Sequence, residues 1–215
     1  MGWASQTTST IQRYMPYDPE LYHALLRILR DGDRNVRAVR ERGVLPEGTV
    51  FYEEVLSFAG TPSVGRAATE RRLERRRAWA WGALESTRGC DVIFADPDNG
   101  LEPRAGLPRS RLTGPKYAYF DELAPYYLDR DQSLVVYHHL HRSLAHEGQV
   151  RDRLSQVEER LGPAFALRFR PGTGRAFFIV PAEAHREVLR ERALRLVRNR
   201  CWARHFVLYE TEGPE

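Results

Sequence analysis

Four apolar residues, Val92-Ile93-Phe94-Ala95, run directly into Asp96-Pro97-Asp98-Asn99-Gly100, and this junction constrains the fold more than any other segment. A short apolar run bounded by turn residues reads as a strand buried on both faces, as in a parallel sheet. Pro97 has no N–H to offer a ladder, and Asn99-Gly100 tolerate the positive φ angles of a tight turn. In an open α/β sheet, ligands bind just beyond the carboxyl ends of such strands. The segment thus predicts where a site lies before it predicts any chemistry.

The flanking patterns build outward from that strand. Asp18 is a good N-cap with Pro19 at the first helical position, so a helix should open there, with Leu21, Leu25, Ile28 and Leu29 on one face. Residues 50–56 could form a short strand. Arg66 to Thr87 has helical composition, and its run of arginines (Arg71, Arg72, Arg75, Arg76, Arg77) is most simply a solvated face with Glu70 and Glu74 as ion-pair partners. Tyr117 to Leu128 reads as a helix capped near Asp121. Residues 132–140 are the second confident strand, and Glu147 to Leu161 is an amphipathic helix. Phe165 to Arg170, a Pro171-Gly172-Thr173-Gly174 turn and Arg175 to Pro181 make a hairpin. A helix over 182–199 and a strand at His205 to Tyr209 close the chain. Residues 1–15 lack periodicity and read as an irregular leader to one domain over 16–215.

This order predicts a Rossmann-like three-layer α/β sandwich, with a mainly parallel sheet and an antiparallel C-terminal hairpin. The strands at Asp91 and Ser133, joined by a helical crossover, should be parallel neighbours. That places Asp96 and Asp98 at the end of one strand, with Tyr137, His138, His139 and His141 at the end of the next. Carboxylates and imidazoles gathered there can move protons or hold a divalent metal. The simpler alternative is a turn whose aspartates bond their own backbone. Alternation sends His138 and His139 to opposite faces, so at most one can meet Asp96, and a three-histidine metal site is not expected.

Composition narrows the classes. The chain carries 33 basic and 29 acidic residues, a net charge of +4. Lys116 is the one lysine. Arg168, Arg170 and Arg175, with aromatics nearby, are the candidates for a basic stripe that binds nucleic acid. Two distant cysteines, Cys90 and Cys201, give neither a disulfide framework nor a zinc motif. No apolar run approaches the ~20 residues of a membrane span, and no signal peptide begins the sequence, so the cytoplasm is the expected compartment.

Phe94-Ala95-Asp96-Pro97-Asp98-Asn99-Gly100 resembles the Asp-Pro-Pro-Tyr or Asn-Pro-Pro-Tyr loop of amino-group methyltransferases that use S-adenosylmethionine. Phe94 to Glu102 and Tyr137 to His139 are also similar to a bacterial family of uncharacterised proteins with Phe-Leu-Asp-Pro-Asp-Asn-Gly-Leu-Glu and a later Tyr-x-His. The likeness covers approximately Asp18 to Tyr209. It implies a methyltransferase-like activity with S-adenosylmethionine as cofactor, Asp96, Asp98 and His138 as catalytic candidates, and Asn99, Gly100, Tyr137 and His139 at the substrate. In those enzymes the loop's first side chain and a following carbonyl accept bonds from the target amine, and its aromatic stacks on the base. Here Asp98 and Asn99 replace the second proline and the aromatic. The glycine-rich cofactor loop has no counterpart upstream of Asp91, so no cofactor-binding residues are assigned, and a first strand belonging upstream is implied. Two other classes remain in play: a metal-dependent nuclease or phosphoesterase using Asp96, Asp98 and a histidine, and a non-enzymatic nucleic-acid or protein-binding module.

Overall fold

The computed structural model describes residues 12, 14–32, 35–142, 144–172 and 174–211, and the leader expected over 1–15 falls largely outside them. The chain divides into two compact units, Met1–Phe51 and Tyr52–Glu215. In the first, α1 spans Pro19–Arg30; the Asp18 carboxylate accepts from the Leu21 N–H at 2.9 Å and caps it. Asn35 caps α2 (Val36–Glu41) in the same way, accepting from the Ala38 N–H at 2.8 Å.

The second unit opens with irregular chain where a strand was expected. Among the described residues no sheet partner reaches residues 52–56; instead Tyr52 packs on Trp79 at 5.7 Å, and the Trp79 indole N–H donates to the Glu54 carbonyl at 2.7 Å. Trp79 belongs to α3 (Arg66–Ser86), the helix predicted from composition. The strand at Asp91 follows as β1 (Val92–Ala95). Beyond the turn, β2 (Gly100–Leu101) pairs in parallel with β3 (Tyr117–Ala118), a two-stranded ribbon in place of the start of the predicted Tyr117 helix. Only α4 (Phe120–Ala124) and a π-helical turn at Pro125–Asp129 are helical there. Then come β4 (Ser133–His139), α5 (His146–Arg160), β5 (Phe165–Phe169), β6 (Arg175–Val180), α6 (Arg186–Arg198) and β7 (Phe206–Glu210).

The main sheet has the order β1-β4-β6-β5-β7. The β1–β4 pair is parallel, with Val92 opposite Ser133 and Ala95 opposite Val136. The other three pairs, β4–β6, β5–β6 and β5–β7, are antiparallel. This overturns the expectation of a Rossmann-like, mainly parallel sheet. Among the described residues no strand precedes β1 in it, and β6 returns antiparallel beside β4, so the fold is mixed α/β with one parallel pair in the main sheet.

Side-chain alternation gives the sheet two distinct faces. Ile93, Leu134, Val136, Ala166, Ala176, Phe178, Val180 and Tyr209 form the main core with Val150, Leu154 and Val157 of α5. On the opposite face, α6 lays Leu189 and Ala193 over Phe165 and Ile179. That second cover is partial: Val92 and Phe94 remain 43% and 58% exposed. The uncovered part includes the carboxyl ends of β1 and β4.

The arginine run of α3 is not uniformly solvated. Arg72 and Arg76 are buried, at 3% and 2% exposure, whereas Arg71, Arg75 and Arg77 are exposed. Arg76 forks onto Glu122 (Nε to Oε1 2.6 Å, Nη2 to Oε2 2.7 Å). It also donates to the carbonyls of Gly114 and Tyr117 at 2.8 and 2.9 Å. Its guanidinium lies 4.4 Å from the centre of the Tyr119 ring. Among the described residues no helix is long and apolar enough to cross a membrane.

Candidate functional site

β1 and β4 run parallel and in register, so residues two apart on each strand project from the same face. Phe94 and Asp96 thus stand beside Tyr137 and His139, and Phe177 on β6 pairs directly with Tyr137. Together with Pro97 and Asp98 they line an open cleft of about 400 Å³. The Tyr137 ring meets His139 edge-on at 4.9 Å and Phe177 at 5.5 Å, and its hydroxyl lies 3.3 Å from His139 Nε2. The walls are aromatic and the rim carries the charge.

Among the described residues Asp96 makes no hydrogen bond or ion pair, although it is exposed. Desolvation by the surrounding rings raises its carboxyl above the usual aspartate range; the His139 charge opposes this and Asp98 adds to it. Tyr137 is likewise raised, first by burial, with Arg175 pulling it down and Asp96 pushing it up. Asp98 stands 3.8 Å from the Lys116 ammonium at the cleft mouth. The group best placed to accept a hydrogen bond from a ligand is Asp96.

Of the residues singled out from the sequence, the fold brings Asp96, Asp98, Tyr137 and His139 to the cleft. It takes His138, Asn99 and Gly100 elsewhere. His138 points to the opposite face, 8% exposed and 5.8 Å from the Phe178 ring. Its Nδ1 accepts from the Leu101 N–H at 3.0 Å, which requires the Nε2–H tautomer. Asn99 donates its backbone N–H to Lys116 at 2.8 Å, and Gly100 is buried beneath the His138 ring. Phe94 and Phe177 line the cleft and were not singled out; the two-residue spacing from Phe94 to Asp96 was the available signal. Arg168, Arg170 and Arg175 do not form one stripe. Arg168 lies opposite Ala176 on the α5 side, Arg170 follows β5, and Arg175 faces His139 across the strands on the cleft side.

Burial lowers His138 from an ordinary histidine value of 6.5 to about 3, with the charges of Arg153 and His139 adding to the effect. The unfolded chain therefore takes up a proton here between about pH 6.5 and 3 that the folded chain refuses. Stability should fall as pH drops through that window, by ~1.4 kcal/mol per unit at most from this group. Denaturant melts of wild type and His138→Gln check it, since glutamine can still accept from Leu101. The variant should show the shallower pH slope; equal slopes would remove His138 as the cause.

Among the described residues no three His, Cys, Asp or Glu side chains converge as metal donors. Among the described residues no strand flanks β1 on its outer side and no glycine lines the cleft, so the residues described there do not fit S-adenosylmethionine and no transfer step follows from them. A second concavity, of about 470 Å³, lies beside Arg72, Ser110 and Thr113. Its buried cation is already bound to carbonyls of Pro62, Ser63 and Ser110. Compared with family models, curated proteins and solved structures, the chain matches none.

Proposed function

We propose that the chain is a binding module that recognises a planar, amine-bearing ring of nucleobase type in the cleft between β1 and β4. The observation that carries this reading is an unpaired carboxylate, Asp96, set among the rings of Phe94, Tyr137 and Phe177. An exocyclic amine supplies the donor that Asp96 lacks, and a flat heterocycle stacks on aromatic faces. Base–aromatic stacking contributes ~1–3 kcal/mol per base, and a hydrogen bond to a charged group ~1.5–3. The reading keeps the substrate end of the methyltransferase-like expectation and omits its cofactor chemistry. The Pro97 carbonyl, which would be the second amine acceptor by that resemblance, already accepts from the Gly100 N–H at 3.2 Å within the turn.

Titration calorimetry with adenosine monophosphate and thymidine monophosphate tests it. The adenine nucleotide should bind at least tenfold tighter, and Asp96→Asn should weaken it by about tenfold or more while leaving the melting temperature within a few degrees. Equal affinity for both nucleotides, or an Asp96→Asn protein that binds as well as wild type, refutes the assignment.

A further inference from the structure

The cleft is one end of a longer surface. On the same face of the sheet, one residue pair further along β4, His139 lies opposite Arg175, Arg175 opposite Phe169, and Phe169 opposite Phe206. This row crosses four strands, ~14 Å at the usual strand spacing. His139 is exposed and the other three are half-buried. The Phe169 and Phe206 rings are 5.1 Å apart and tilted by 51°. No carboxylate stands on the row.

Arg175 is the unusual member. Among the described residues it forms no ion pair, and its Nε is buried with no hydrogen-bond partner. An arginine left unsatisfied beside a tyrosine and between aromatic groups is costly unless something anionic meets it. The surface thus alternates aromatic, cation, aromatic: Tyr137 and Phe177 in the cleft, then Arg175, then Phe169 and Phe206. A polynucleotide strand alternates base, phosphate, base. Exposed sheet faces with aromatic side chains stack two or three unpaired bases in this manner.

We propose that the ligand of the cleft is a base of a single-stranded nucleic acid, and that the strand continues across this row with a phosphate on Arg175 and the next base on Phe169 and Phe206. The proposal rests on the cleft recognising an amine-bearing base. Asp96 and Asp98 exclude phosphate from the cleft itself, so the base edge enters there and the backbone follows the row. With Arg175 as the arginine of the row that has no ion pair among the described residues, binding depends only mildly on salt, and removing that cation lowers the slope of log K against log salt by about 0.7.

Fluorescence anisotropy with a labelled oligodeoxyadenylate, an oligothymidylate, a duplex of the two, and adenosine monophosphate as competitor separates the outcomes. The adenylate strand should bind at least tenfold tighter than the mononucleotide and tighter than duplex. Arg175→Gln should reduce the salt slope, and Phe169→Leu should weaken the strand about fivefold while leaving mononucleotide affinity unchanged. Thermal melts of both variants confirm that they are folded. If strand and mononucleotide bind equally, and both variants bind the strand like wild type, the track is wrong and the cleft reading survives. If the duplex binds best, the track is also overturned. Failure of both adenine ligands to bind sinks the cleft reading and this inference with it.

Discussion

Glu122→Ala should destabilise the protein by about 3–5 kcal/mol, a large share of the ~5–15 kcal/mol that holds an ordinary domain together. The reason is the partner left behind. Arg76 is 2% exposed, and among the described residues its fork onto Glu122 is the ion pair that neutralises a guanidinium otherwise held by two carbonyls and the face of Tyr119. Deleting the carboxylate strands that charge away from water. Arg76→Met should cost less, because Glu122 is 17% exposed and can be partly rehydrated. The double variant Arg76→Met/Glu122→Met should recover much of the loss, since a buried pair replaced by apolar groups is often near neutral. Urea melts of the three proteins decide it. A double variant as unstable as Glu122→Ala would locate the effect in lost packing rather than in an orphaned charge.

Gly100→Ala is the second large effect, of about 2–5 kcal/mol, and it has two separable sources. Gly100 sits at φ +93°, a conformation that costs other residues ~1–3 kcal/mol. A Cβ there would also lie 2.2 Å from His138 Nδ1 and 2.9 Å from His138 Cα. Overpacking adds ~1–3 kcal/mol, and the Leu101 to His138 hydrogen bond must shift with the ring. Adding His138→Ala removes the ring but neither the backbone strain nor the contact with Cα. The double variant should therefore be less destabilised than the sum of the singles, by a coupling of ~0.5–3 kcal/mol. Strict additivity would mean the ring and the new methyl never compete for the same space.

The parts legible in the sequence were those set by local chemistry. The apolar runs at Val92 and Ser133 became parallel neighbours, and the Pro171-Gly172 turn joins the antiparallel β5 and β6, with Thr173 outside the described residues. What misled was information stored far along the chain. A strand after a helix looks the same whether it returns parallel or antiparallel, so β6 settling antiparallel against β4 left no local mark. Arg72 and Arg76 share a helix face with a four-residue spacing, but the acid that buries Arg76 lies 46 residues away. Tyr117 to Leu128 had helical polarity, yet Tyr117 and Ala118 are taken into the ribbon with Gly100 and Leu101. Alternation correctly divided His138 from His139. It could not say which face helix α6 would leave open, and that choice decides which histidine reaches the cleft and which is locked beneath it.

The edge position of β1 has a dynamic consequence. β4, β6 and β5 are each clasped by two ladders, whereas β1 and β7 hang from one. Backbone opening starts where the fewest bonds must be given up, so β1 should breathe more readily than the strand beside it. The cleft takes Phe94 and Asp96 from the loosely held strand and Tyr137 and His139 from the firmly held one. Whatever occupies it spans that difference and fastens the edge to the centre. Part of the binding free energy is then spent on ordering β1, and occupancy of the cleft and protection of the β1 amides become two readings of one equilibrium.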